Sequence, residues 1–323
     1  AVVNVAYNVG SRDEDPEHTG FAHLFEHLMF GGSVNVPSYD THLQKVGGEN
    51  NAFTSPDLTN YYLTLPASNV ETGIWLESDR MLGLAFDPKS LEVQKKVVIE
   101  EFNQRYLNQP YGDVWHKLRA LAYKVHPYRW PTIGMNIEQI EGANMAQVKA
   151  FLKKFYAPNN ATLVVAGNVD VDAVFKMVEK WFGPIPAQPS YVRDLPQEPA
   201  QTEKRFLEVE SSVPVDAIYK VYHMPGKASP DYHRADLLSD ILGRGNSSRL
   251  HVKLVEEDKL FTNVSAYVLG SSDPGLMVIT GKLAEGTQFE DAERAIDEVA
   301  NPSTGSSVAE RELTKVKNQA ISS

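Results

Sequence analysis

The chain has 323 residues, enough for two domains that each bury a core, and it contains no cysteine, which excludes disulfide frameworks and thiolate metal sites. Its 42 acidic residues against 31 lysines and arginines leave a formal net charge of -11, which argues against nucleic-acid binding through phosphate neutralisation. No apolar run reaches the length of about 18 residues that a membrane-spanning helix requires.

Two kinds of hydrophobic periodicity alternate along the chain. Apolar residues at every second position predict strands over residues 2–9, 59–65 and 161–166. Helical periodicity predicts helices over residues 70–84, 91–106 and 145–155. The same mixture recurs in the second half. We therefore expect an α+β fold of two homologous domains, each a mainly antiparallel sheet with helices packed on one face.

A proline-rich segment over residues 186–205 separates the two halves and lacks apolar periodicity. Such a composition predicts an extended linker between domains. The expected domains are thus residues 1–185 and residues 206–323. The chain starts inside a strand pattern and stops just after a helix-like one, so both ends are interpreted as cut and the second domain as truncated at its C-terminus.

The two halves resemble each other around one short apolar helix. Residues 22–32 align with residues 235–245, and in each half a strand precedes the helix and a glycine stop follows it. The second copy replaces the polar residues of the first: His23, Glu26 and His27 become Asp236, Ser239 and Asp240. A duplicated domain with chemistry in its first copy alone explains this pattern.

The first copy is expected to form a helix over residues 20–30, with Thr19 as its N-cap. His23 and His27 lie one turn apart, so both imidazoles can reach a single ion, and Glu26 on the same face can reach a water on that ion. Two imidazoles plus one carboxylate are a catalytic zinc set. The alternative is that both histidines are half-buried surface residues.

A third ligand is sought on the helix over residues 91–106, where Glu100 and Glu101 are adjacent. Glu101 has Val97 and Val98 one turn before it, whereas Glu100 has polar neighbours on its C-terminal side. The helical phase therefore places Glu101 nearer the apolar face and favours it as the ligand, with Glu100 as the fallback. His42 and His126 are left out, because a lone histidine is more often structural than a ligand.

The order His-x-x-Glu-His is the signature of the inverted zincins. The chain resembles the pitrilysin/insulinase family of zinc metallopeptidases, similar to its short bacterial members and to the catalytic subunit of the mitochondrial processing peptidase. The resemblance runs through nearly the whole chain and is carried by residues 10–14, 18–30, 51–54, 59–62, 126–128, 155–160 and 243–250.

This resemblance implies one zinc ion held by His23, His27 and Glu101, with Glu26 as the general base. It also implies that the strand Asn51, Ala52, Phe53 and Thr54 binds an extended peptide by backbone hydrogen bonds. From the residues alone this strand would be an ordinary sheet edge.

One feature departs from the family pattern. Members with a complete site draw an Arg and a Tyr from the opposing half, and the corresponding positions here are Val255 and Thr262. A homologous partner subunit or a missing C-terminal half is therefore expected to supply them.

No nucleic acid is expected as a partner. The compartment stays open, with an extracytoplasmic location favoured if the protein is bacterial.

The sequence thus predicts a zinc-dependent endopeptidase that hydrolyses extended peptides. Two alternatives stay open: a catalytically silent structural or assembly subunit of the same fold, and a module that binds peptides without cutting them. A complete metal set favours the enzyme, because a silent subunit has no need to keep one.

Overall fold

The alternation of buried and partly exposed side chains along the first strand shows which face of the first sheet is covered by the core. In β1 (Val2–Tyr7) the side chains of Val3, Val5 and Tyr7 are fully buried, whereas the residues between them are partly exposed. Successive side chains of a strand point to opposite faces of the sheet. One face of the sheet therefore carries the core.

The structure, a computed structural model, describes residues 1–85, 87–301 and 307–322. Its residues form two units, Ala1–Leu207 and Glu208–Ser323. After β1, the helices and strands of the first unit are α1 (Phe21–Leu28), α2 (Tyr39–Lys45), β2 (Glu49–Thr54), β3 (Thr59–Thr64), α3 (Val70–Leu82), α4 (Pro88–Phe102), α5 (Val114–Ala122), α6 (Ile137–Glu141), α7 (Met145–Phe155), β4 (Ala161–Ala166) and α8 (Val171–Phe182).

The first sheet is antiparallel and has the order β2-β3-β1-β4. Val5 at its centre lies opposite Tyr61 of β3 and Leu163 of β4. Helices α3 and α8 pack near the Val3 end of β1, and α1, α4 and α7 pack near its other end. The mixed fold with a mainly antiparallel sheet is confirmed, and β2 lies at the edge of the sheet.

The beginning of α1 differs from the prediction. Thr19 is not the N-cap, because the helix starts after Gly20, whose φ of 85° is left-handed. The carboxylate of Glu14 accepts hydrogen bonds from the backbone N–H groups of Gly20 and Ala22, at 3.0 and 2.8 Å. A residue six positions upstream therefore satisfies the N–H groups that an N-cap side chain would otherwise bind.

The proline-rich segment forms no helix or strand and lies within the first unit up to Leu207. Arg193 donates two hydrogen bonds to the fully buried carboxylate of Asp13, at 2.7 and 3.1 Å. Glu198 accepts hydrogen bonds from three consecutive backbone N–H groups at residues 124–126. These contacts tie the segment to the first unit, and the predicted division into residues 1–185, 186–205 and 206–323 stays a prediction.

The second unit contains β5 (Ala217–Met224), α9 (Tyr232–Gly243), β6 (Phe261–Leu269), β7 (Gly275–Leu283), α10 (Phe289–Ala300) and α11 (Glu310–Ser322). Its antiparallel sheet has the order β5-β7-β6. A strand followed by a helix, β5 and α9, repeats the succession of β1 and α1. Within the described ranges, no helix has both the length and the apolar character needed to cross a membrane.

Replacing Arg193 by Ala should destabilise the first unit by up to about 3 kcal/mol, because it leaves the buried carboxylate of Asp13 without its cation. Chemical denaturation measures the loss. The matched control is Lys180→Ala, which removes an ion pair with Glu71 whose partners are 60% and 44% exposed and should cost less than about 1 kcal/mol. Equal losses in the two variants would contradict the prediction.

Glu14 should make the stability depend on pH. Burial is the largest influence on this carboxyl and raises its pKa from 4.5 to about 8, although the hydrogen bonds from Ala22 and Gly20 oppose the shift. The folded protein therefore binds this proton more tightly than the unfolded chain. The resulting stabilisation is complete below the unfolded pKa and is lost as the pH rises through the folded pKa.

Glu14→Gln has no such proton to lose. In metal-free protein, the melting temperature of this variant relative to the unmodified chain should therefore rise between about pH 5 and about pH 9. Thermal denaturation across this range measures the difference. A difference that stays constant with pH would refute the assignment.

Candidate metal centre

Helix α1 divides its residues between a buried face and a half-buried face. Leu24, Phe25 and Leu28 are at most 8% exposed and belong to the core of the first unit. His23, Glu26 and His27 occupy the half-buried positions. Spacings of three and four residues place these three polar side chains on one side of the helix.

The two adjacent glutamates of helix α4, Glu100 and Glu101, differ in exposure to solvent as the helical phase predicts. Asp87 caps the helix by accepting hydrogen bonds from the backbone N–H groups of Lys89 and Ser90. Val98 and Phe102 are buried in the core that α1 shares. Glu101 is half-buried, whereas Glu100 is exposed and accepts a hydrogen bond from Gln104.

Three potential ligand atoms converge where α1 packs against α4. Oε2 of Glu101 lies 3.4 Å from Nε2 of His27 and 3.7 Å from Nε2 of His23. One ligand atom from each of the three residues lies within 4.8 Å of the others, and the described part of the chain offers no other such group of histidine and acidic residues. Tetrahedral ligands at zinc bond lengths are about 3.4 Å apart. The arrangement therefore fits a zinc ion.

Electrostatics also favour metal binding by His23. Burial, followed by the proximity of His27 and Arg105, lowers the pKa of His23 to about 3. Its imidazole is therefore neutral near pH 7, the form that ligates metals. The buried Nδ1 atom of His23 has no hydrogen-bond partner among the described residues. The two imidazole rings are nearly perpendicular, with centroids 4.8 Å apart.

Glu26 is held by the strand that borders the site. Thr54, the last residue of β2, donates a hydrogen bond of 2.5 Å from its Oγ1 atom to Oε2 of Glu26. Burial is the largest influence on this carboxyl and raises its pKa, against the opposing effect of the Thr54 hydrogen bond. A raised pKa suits a general base, because it makes the carboxylate a better proton acceptor near neutral pH.

Strand β2 presents its four predicted residues beside this site. It pairs with β3 at the sheet edge, and α1 packs against it. Asn51 and Phe53 are exposed, whereas Ala52 and Thr54 are half-buried. An edge strand has backbone groups available on one side, as addition of an extended peptide requires.

The other candidate residues have structural contacts. His126 is buried, and its Nδ1 accepts a hydrogen bond from the backbone N–H of Tyr128. His42 packs edge-on against Trp75. In the second unit, Val255 packs against the core, and Thr262 donates a hydrogen bond to the carbonyl of Lys282.

Sequence reasoning missed two contacts of the site. Arg105 lies 2.7 Å from Oε1 of Glu101, and its spacing of four residues was a signal that could have found it. The bond from Thr54 to Glu26 joins residues 28 positions apart and had no local signal.

Family models match both halves of the chain. The family model described as "Insulinase (Peptidase family M16)" matches residues 1–135, and "Peptidase M16 inactive domain" matches residues 142–320. Zinc protease PqqE of Helicobacter pylori is 28% identical over 320 residues, which cover 98% of this chain and 72% of that protein. The uncharacterized zinc protease YmxG of Bacillus subtilis is 28% identical over 322 residues, covering 98% of this chain and 76% of that protein.

A solved structure extends the similarity to three dimensions. The crystal structure of a protease from Helicobacter pylori superposes with a TM-score of 0.89 at 27% identity, covering 99% of this chain and 79% of that one. The names of the relatives support zinc as the metal and proteolysis as the activity. The chain belongs to the M16 peptidases, the insulinase family.

Proposed function

We propose that this chain is a zinc-dependent endopeptidase that hydrolyses extended peptides, with His23, His27 and Glu101 as the ligands of one zinc ion and Glu26 as the general base. The observation that carries the proposal is that the Nε2 atoms of His23 and His27 converge with Oε2 of Glu101. The carboxylate of Glu26 lies on the same helix as the two histidines. When bound, zinc supplies Lewis-acid chemistry, which lowers the pKa of water and polarises a peptide carbonyl.

Glu26 performs the proton transfers in this proposal. Thr54 occupies Oε2 of Glu26, which leaves Oε1 to take a proton from the attacking water. The same carboxyl then returns the proton to the nitrogen of the leaving amine. Partial burial raises the proton affinity of this group, and the hydrogen bond from Thr54 fixes its orientation.

Strand β2 orients the substrate in this proposal. A peptide added in extended form along Asn51 to Thr54 would run past the carboxylate that Thr54 binds. The half-exposed side chain of Phe53 offers the peptide an apolar contact. The strand that binds the peptide backbone thus also holds the base.

The two positions expected to carry the arginine and the tyrosine hold Val255 and Thr262 instead. Val255 packs against the core of the second unit, and Thr262 donates a hydrogen bond to the carbonyl of Lys282. We therefore include in the proposal a homologous partner subunit, or a further segment of the same protein, that completes the substrate site.

The ligand assignment predicts which substitutions abolish zinc binding. His23→Ala, His27→Ala and Glu101→Ala should each remove most of the zinc, because each leaves two protein ligands. Elemental analysis and chelator competition measure the metal content. Glu100→Ala is the matched control: it deletes the neighbouring carboxylate and should keep full zinc content. Loss of zinc in the control with retention in Glu101→Ala would exchange the two roles.

Glu26→Gln should keep its zinc and cut peptides at least about 100-fold more slowly, because the amide cannot accept a proton. The assay is digestion of a quenched-fluorescence peptide library, alone and with an added homologous subunit, using a preparation free of contaminating protease. Near-normal turnover by Glu26→Gln would end the proposal. Zinc binding without any cleavage by the unmodified chain in either condition would favour a catalytically silent subunit.

A further inference from the structure

The two carboxylate oxygens of Glu101 have different neighbours. Oε2 points to the imidazoles of His23 and His27, at 3.7 and 3.4 Å. Oε1 instead lies 2.7 Å from a terminal nitrogen of Arg105. When an ion pair holds one oxygen of a carboxylate, it also fixes the direction in which the other oxygen points. The ion pair with Arg105 therefore selects one orientation of the Glu101 side chain.

The backbone that carries Arg105 is fixed although its side chain is exposed. Directly after α4 the chain continues as a π-helical turn, Asn103–Leu107, a feature that is frequent at functional sites. The ring of His116 packs against Phe102, which directly precedes this turn, and against Tyr106 within it, with centroids 5.1 and 4.8 Å away. Nε2 of His116 contacts the carbonyl of Gly134 at 3.1 Å.

A close backbone approach restrains the same turn. A Cβ atom on Gly112 would lie 2.4 Å from the carbonyl oxygen of Tyr106 and 2.9 Å from that of Arg105. The chain therefore returns tightly against the turn. These contacts restrain the backbone at Arg105. The guanidinium is therefore held within reach of Oε1 of Glu101.

The Arg105–Glu101 pair contributes little to the stability of the fold. The Arg105 side chain is 66% exposed, and an exposed ion pair is worth little in a folded protein. Its charge alone would also weaken the binding of a dication, because like charges repel. A role in orienting the ligand and a role as a mere surface charge therefore predict opposite effects on zinc affinity.

We infer that Arg105 is a positioning residue: its guanidinium binds Oε1 of Glu101 and thereby holds Oε2 toward the two histidines, ready for the metal. This inference rests on the proposed zinc site. Hydrogen-bonded partners that orient metal ligands typically change metal affinity by about 10- to 100-fold when they are removed.

The test compares zinc affinity in variants of the full chain. Arg105→Met removes every donor, and Arg105→Gln is a second, polar replacement suited to an exposed site. Arg105→Lys keeps the positive charge and one donor nitrogen but lacks the planar fork of the guanidinium. The matched control is Lys96→Gln, which removes a positive charge from an exposed position of α4, the helix that carries Glu101. Chelator competition gives the zinc Kd, and the visible spectrum of the Co²⁺ form reports the coordination of the metal.

Arg105→Met and Arg105→Gln should raise the zinc Kd by about 10- to 100-fold and alter the Co²⁺ spectrum, with Arg105→Lys intermediate. Lys96→Gln should leave both unchanged, and the melting temperature of the metal-free protein should be the same in all variants. A zinc Kd in Arg105→Met and Arg105→Gln that equals or falls below that of the unmodified chain would overturn the inference alone. Failure of the unmodified chain to bind zinc would overturn the proposed function as well.

Discussion

The packing of α1 against α4 is the constraint on which the site depends. Leu24, Phe25 and Leu28 of α1 share one core with Val98 and Phe102 of α4. Interiors pack densely, so neither helix can rotate without opening a cavity. The polar residues next to these buried faces are therefore forced together at one edge. The convergence of His23, His27 and Glu101 is a consequence of apolar burial.

Polar contacts around this packing hold the start of α1, which hydrophobic burial alone does not fix. Glu14 binds the first N–H groups of α1, and the adjacent Asp13 is paired with Arg193 from the proline-rich segment. The glycine at the start of the helix allows a close approach, since a Cβ on Gly20 would lie 2.6 Å from the carbonyl oxygen of Ile133. The start of α1 is thus held by residues that precede it and residues that follow it in sequence.

The proposed base, the proposed ligands and the edge strand form one connected structure. Thr54 links β2 to Glu26, and Glu26 shares its helix with both histidines. A bound peptide that displaced β2 would therefore also displace the carboxylate of Glu26. The proposed function uses this connection, because the strand proposed to receive the substrate also orients the carboxylate proposed to move the proton.

The sequence by itself determined the elements whose periodicity is strong and whose contacts are local. The strand over residues 161–166 and the helix over residues 145–155 have the predicted limits, and the phase of α4 alone separates buried-side Glu101 from exposed Glu100. The spacing of His23 and His27 on one helix belongs to the same class, because it follows from the turn of an α-helix.

Only the tertiary structure decided which distant groups meet. Thr19 has the right side chain for an N-cap, yet Glu14 takes that place, because the fold brings its carboxylate back to the start of α1. The bond from Thr54 to Glu26 likewise depends on how β2 packs beside α1. Local propensity depends on a few neighbouring residues only. These contacts instead form when the core closes, because polar groups that are then removed from water need hydrogen-bond partners from distant parts of the chain.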